Sequence, residues 1–388
     1  MFGIKISTLK YLFIACALVL FGCKKQSKST IPETHKAVAA TPLKYAKGFS
    51  VTNYTGYKVL EIFSPWPESD QSFKFALVDK NSPVKVNVKQ TEFNGIITVP
   101  VTNIVVTSTT HLPALDLLEA SDKLIGFPGT DYVSSELIRA RIDSGFVKEL
   151  GKNEGINTEV LLSLNPNVVV AFGIDGNNRT LETVSKANIP VIYNGDWIEE
   201  SPLAKAEWIK LFGALFGKEA EADTVFNTIE TNYLNAKAIA ATVTEQPTVL
   251  SGAMHKDVWY LPSGTSSEAE LLSDANVNYL WKNSTGAGSL ALNFESVFTK
   301  AQNADIWLNP SYFGSYSDLK AANAHYAKFE AFKQKHIFTI ANTQGATGGV
   351  LYYELGLSRP DLVLKDLIKI SHPELLPEYQ PFFFKPLK

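Results

Sequence analysis

Two hydrophobic rhythms divide the chain. From about 49 to 106 β-forming residues dominate, in the runs VTNYTGYKVLEIF, FKFALVD, VKVNV and GIITVPVTNIVV. Apolar and polar positions alternate at Lys58-Val59-Leu60-Glu61-Ile62 and at Val84-Lys85-Val86-Asn87-Val88, the period of a half-buried strand. This pattern predicts hairpin-linked strands. The rhythm then changes. Short apolar runs at 104–106, 124–127, 168–172 and 190–193 alternate with helix-period segments near 112–120, 158–164 and 179–187. The alternation returns with strand runs at 248–251, 258–261, 306–308 and 337–340 and helices near 267–274 and 359–370. Strands alternating with helices predict an α/β fold with largely parallel sheets.

Two helices are predicted between these α/β regions, over 201–243. The second, about 220–242, holds no proline or glycine, and Phe226, Ile229, Tyr233, Ala236, Ala240 and Val243 give it one apolar face. At about 1.5 Å per residue it would be roughly 35 Å long, a stiff strut between two lobes. The expected organisation is a leader (1–22), a flexible tether (23–45), a β-rich segment (46–95), an N-terminal α/β lobe (96–215), the connecting helix (216–243) and a C-terminal α/β lobe (244–388).

The leader changes the picture. Both cysteines of the 388 residues, Cys16 and Cys23, fall in it. Lys5 and Lys10 precede an apolar run, YLFIACALVLF. Eleven residues reach roughly 16 Å, about half a bilayer core, which suits a secretory signal and not a membrane span. Its end, Leu20-Phe21-Gly22-Cys23, resembles the bacterial lipobox, with Phe21 bulkier than usual. That resemblance implies cleavage before Cys23, acylation of Cys23 and attachment to a membrane through lipid alone. An ordinary signal peptide with an incidental cysteine is the alternative. Lys24, Lys25 and Lys28 follow without an acidic cluster, which favours the periplasmic side. The net charge is −3, or −5 without the two leader lysines (−3 − 2). No basic run exceeds Lys24-Lys25, so no nucleic-acid partner is expected.

An internal repeat straddles the strut. Ile156-Asn157-Thr158-Glu159 and Leu292-Asn293-Phe294-Glu295 both read apolar-Asn-x-Glu, and each leads through about two helical turns into a strand. Asn is a good N-cap and a first-turn carboxylate suits the helix dipole, so capping alone accounts for either copy.

Further segments carry a resemblance: Ser108-Thr109-Thr110-His111 through Leu124-Ile125-Gly126-Phe127, then Asn157-x-Glu159-x4-Leu164-x-Pro166-x-Val168-Val169-Val170-Ala171, Ile189-Pro190-Val191, Ser201-Pro202-Leu203-x2-Ala206-Glu207-Trp208-Ile209 and Arg359-Pro360-Asp361-Leu362. Over roughly 95–375 the chain resembles the helical-backbone class of ABC-transporter substrate-binding proteins, which serve iron-siderophore, haem and cobalamin uptake. The resemblance implies a monomeric, two-lobed, non-enzymatic binding protein that delivers a ferric siderophore or similar bulky chelate to a membrane permease. It implies that Glu159 and Glu295 dock on permease arginines. Residues 49–94 lie outside it.

In α/β lobes ligands approach the carboxyl ends of strands. The loops expected there hold aromatics, hydroxyls and glycines, which suit a bulky, partly polar chelate. The candidate ligand contacts are Thr109, Thr110, His111, Tyr132, Phe172, Trp197, Met254, Trp259 and Tyr312. Trp307, inside a strand run, is assigned to the core. The six histidines are scattered and none pair at i, i+4, so neither a bare metal site nor a resident cofactor is expected. There is no G-x-S-x-G elbow, no H-E-x-x-H and no P-loop. A lipid-anchored hydrolase or a glycan-binding lipoprotein are the readings from other classes.

Overall fold

The computed structural model describes residues 37–388, apart from 84, 85, 87, 154 and 287. The leader and the candidate lipidation site Cys23 lie outside the described residues.

Five strands open the described chain and pair in sequence order: Ala39–Ala40, Phe49–Tyr54, Tyr57–Phe63, Ser72–Asp79 and Gly95–Val99. The expected hairpins hold from Phe49 to Asp79, antiparallel throughout; Ala39–Ala40, inside the expected tether, adds an antiparallel edge strand beside Phe49–Tyr54. The last pairing, Ser72–Asp79 with Gly95–Val99, is parallel. A parallel neighbour needs a crossover, and residues 80–94 supply it. Of the strand expected at 84–88, positions 84, 85 and 87 lie outside the described residues, and Val86 and Val88 are in no strand.

The N-terminal lobe holds a fully parallel sheet in the order Val191–Tyr193, Val168–Ala171, Ile104–Val106, Leu124–Phe127 and Lys148–Glu149. The C-terminal lobe repeats the plan with Asn278–Tyr279, Thr248–Ser251, Ile306–Leu308, Ile337–Thr339 and, antiparallel at the edge, Lys385–Pro386. Val168–Ala171 and Ile306–Leu308 are buried at every position, as expected for continuous apolar strands covered on both faces. The run at 258–261 belongs to neither parallel sheet. Val258–Pro262 pairs antiparallel with Ala253–His255 and Ser289–Leu292. Gly252 makes this possible: its φ is +76°, and a Cβ there would lie 1.9 Å from the Tyr260 carbonyl oxygen.

Three helices, not two, connect the lobes: Pro202–Glu207, Ile209–Phe216 and Glu219–Ala240. Ile209–Phe216 is buried along its whole length, because the N-terminal sheet covers one side of it and the lobe the other. The strut, Glu219–Ala240, divides its apolar stripe. Ala222, Phe226 and Ile229 enter the core shared by the N-terminal sheet and lobe. Tyr233, Ala236 and Ala240 enter the core of the C-terminal lobe.

The N-terminal sheet is tied to this frame by carboxylates. The amides of Lys44, Tyr45 and Ala46 donate to the fully buried Glu207 carboxylate at 2.8–3.1 Å. Tyr45 Oη and Lys44 Nζ reach Glu230 on the strut at 2.8 and 2.5 Å. The amides of Lys47 and Gly48 donate to Glu199 Oε1, both at 2.9 Å. Residues 44 and 45, expected to close a flexible tether, are therefore fixed.

Candidate ligand cleft and docking carboxylates

The two lobes touch along one side. The amides of Ser134 and Ser135 donate to the Glu354 carboxylate at 2.6 and 2.8 Å, and Ser134 Oγ donates to the Gly349 carbonyl at 3.1 Å. A Cβ on Gly349 would lie 2.2 Å from the Tyr132 carbonyl oxygen. Thr109 Oγ1 donates to the Tyr353 carbonyl at 3.5 Å. Thr109 and the backbone of Tyr132 thus serve lobe–lobe contact, and neither residue lines the cleft. The Tyr132 side chain is exposed.

Beside this contact opens a cleft of about 1210 Å³, roomy for a small-molecule site. Trp197 and Tyr312, both expected from sequence, line it. Phe172 stands behind Trp197, ring centroids 5.6 Å apart. Met254 faces away. In its strand, Ala253 and His255 line the cleft, so the residue between them points to the opposite face. Met254 Sδ accepts from Asn323 Nδ2 at 3.9 Å.

Two expected ligand contacts are core residues. Trp259 is fully buried, 5.5 Å from the Trp307 ring, and its Nε1 donates to the Ser251 carbonyl; its neighbour Tyr260 lines the cleft instead. His111 is fully buried beside Phe212. Burial pushes its imidazole down to about 3, against the weaker pull of the Val170 carbonyl. Thr110 is set back from the cleft, lining a small void with Asp196 and Lys205.

Sequence reading missed Tyr260, Tyr353, Glu199, Lys205 and the loop around Trp66, all of which line the cleft. Strand parity would have found Tyr260, once 258–262 was taken as an edge hairpin. Glu68, Glu199, Glu200 and Glu268 line the cleft against Lys205 and His255, so carboxylates prevail. Glu199 also accepts from Trp208 Nε1 at 3.0 Å, which fixes it as an anchor. Among the described residues no three His, Cys, Asp or Glu side chains are grouped to hold a metal ion.

Two buried carboxyls stand by the cleft with raised pKa values. Burial pushes Asp196 up to about 7, against the pull of Lys205 and of hydrogen bonds from Trp197, Thr110 and Asn194. Burial also pushes Glu354 up to about 7, against the Ser134 and Ser135 amides and with help from Asp116. Both hold their protons more tightly folded than unfolded. Their contribution is therefore complete below the ordinary carboxyl range and is lost as pH rises through about 7. Each is worth on the order of 3 kcal/mol. Asp196→Asn and Glu354→Gln should each flatten the fall in thermal midpoint between pH 5 and pH 8, read by calorimetry. A slope unchanged in both variants would refute this assignment.

Glu159 and Glu295 occupy matching places. Each is the second residue of its helix, Thr158–Leu164 or Phe294–Ala301. Asn157 and Asn293 cap these helices, accepting from the Val160 and Ser296 amides at 3.1 and 2.8 Å. Both glutamates are exposed, and neither is needed for the cap.

A cleft of this size beside two lobes of mainly parallel sheet, with one long helix packed into both cores, is a two-lobed α/β architecture. The family model described as periplasmic binding protein matches residues 104–343, and this chain belongs to that family. An uncharacterized lipoprotein of Methanocaldococcus jannaschii is 27% identical over 98% of this chain and 96% of its own. Two solved structures share the fold. One is a possible iron-binding, periplasmic solute-binding protein of Staphylococcus epidermidis, at 18% identity and a TM-score of 0.55, covering 70% of this chain and 98% of that one. The other is a periplasmic heme binding protein of Pseudomonas aeruginosa, at 15% identity and a TM-score of 0.55, covering 74% and 98%.

Proposed function

We propose that this protein is the lipid-anchored, periplasmic solute-binding component of an ABC importer, and that its cargo is a ferric siderophore. The cleft carries the reading: its volume suits a bulky chelate, and Trp197, Tyr260 and Tyr312 offer aromatic faces. Its carboxylates outnumber its cations, and no arginine is among the described residues that line it. That lining favours a neutral or cationic ferric hydroxamate over a trianionic catecholate. The names given to the Staphylococcus and Pseudomonas proteins support an iron-containing cargo. Cys23 carries the lipid, and Glu159 and Glu295 meet the permease. Each starts a helix leading into a central parallel strand, which places both toward the carboxyl ends of the sheets, where the cleft opens.

Haem is the second reading. Tyr312 and His255 are exposed and line the cleft, and both side chains can ligate iron. The test is a titration of the mature chain with ferric hydroxamates, ferric catecholates, haemin and cobalamin, followed by tryptophan fluorescence. A ferric hydroxamate should quench saturably at micromolar or lower concentration, and Trp197→Phe should remove much of the amplitude. A shifted Soret band with haemin alone would select haem. No response to any of the four would refute both readings.

A further inference from the structure

The N-terminal sheet lies outside the family match, which begins at residue 104, yet one of its loops reaches the cleft. Residues 64–71 form a closed loop between Tyr57–Phe63 and Ser72–Asp79, with the Ser64 amide donating to the Gln71 carbonyl at its neck. Ser64, Trp66, Pro67, Glu68 and Ser69 all line the cleft.

The loop is seated, not draped. Trp66 is buried, its ring 5.2 Å from Tyr193 and 6.0 Å from Phe73. It lies on the turn after strand Val168–Ala171 of the N-terminal lobe: a Cβ on Gly176 would come 3.2 Å from the indole, and one on Gly173 3.6 Å. Pro65 packs over Gly195 at 3.4 Å by the same measure. The loop thus covers two post-strand turns of the lobe, the places where an α/β lobe ordinarily meets ligand. Its own tip faces the cleft in place of the turn after Val168–Ala171 and beside Trp197 and Glu199 of the second turn. That tip carries Glu68, an exposed carboxylate held at φ +60°.

We propose that the loop 64–71 is a third wall of the binding cleft and a specificity element, with Glu68 selecting cationic over anionic chelates. This rests on reading the cleft as a siderophore site. The sheet behind it is fixed to Glu207, Glu199 and Glu230, so the wall is rigid enough to discriminate.

The test compares three ferric probes: a trihydroxamate bearing a free ammonium group, a neutral trihydroxamate and a trianionic tricatecholate. Glu68→Lys should weaken the ammonium-bearing probe about fivefold, leave the neutral one unchanged and strengthen the anionic one. Glu68 is exposed, so the thermal midpoint should not move. A second measurement does not depend on charge. The sequence has no cysteine after Cys23, so Glu68→Cys can carry a fluorophore. Bound ferric probe should quench it strongly, whereas a fluorophore at exposed Lys333→Cys should respond weakly. Unchanged affinities together with a silent label at 68, in a protein that binds a probe, overturn the proposal and leave the siderophore reading intact. If the unaltered protein binds none of the three probes, both fall.

Discussion

Reversal of the two carboxylates proposed to dock, Glu159→Lys with Glu295→Lys, should reduce cellular uptake of the cargo at least tenfold and leave its affinity within about twofold. An exposed carboxylate contributes little alone, commonly below ~1 kcal/mol. Two held at a fixed separation act differently. They set the register of the encounter, and reversing both converts two attractions into two repulsions. The strut fixes the separation, because its stripe enters both cores. Either single reversal should give an intermediate loss. Uptake measured with labelled iron, beside affinity measured on the isolated protein, separates the outcomes. Lost affinity would assign the glutamates to the cleft; full uptake would remove them from docking.

Loss of Glu207 should produce the largest change in stability. Its buried carboxylate accepts from three successive amides and pairs with Lys210 Nζ at 3.0 Å, itself buried. Glu207→Ala leaves those amides without an acceptor and Lys210 with only Asp223 and the Pro42 carbonyl. Breaking a buried pair of this kind costs about 3–5 kcal/mol. Glu207→Gln keeps one acceptor oxygen and should cost less. The damage should begin at residues 44–48, seen as faster amide exchange there than in the C-terminal lobe. A midpoint within a degree of the unaltered protein's would refute the assignment.

The sequence carried more of the scaffold than of the cleft. Runs such as 124–127, 158–164, 267–274 and 306–308 appear with those bounds, because short apolar strands and capped helices are local signals. The cleft depends on side-chain direction and on contacts distant in the chain. Trp259 and Tyr260 are adjacent, and only the pleat decides which is core and which is surface. His111 follows a strand, where ligands gather, but Phe212 lies against it from far along the chain. The loop at Trp66 carried a turn-rich Pro65-Trp66-Pro67 signature, yet nothing local says that it reaches a lobe beginning some forty residues later.

The divided stripe of the strut also bears on how the molecule comes apart. A helix with Phe226 in one core and Tyr233 in the other is a seam, not a linker. Cutting the gene between Ile229 and Tyr233 would leave each fragment the residues that fill its own core and remove only the helical continuity that holds the two cores together. A helix shared by both cores couples them, so loosening one lobe should loosen the other's end of the strut, and a split placed between Ile229 and Tyr233 is where engineers seeking a breakable sensor would cut.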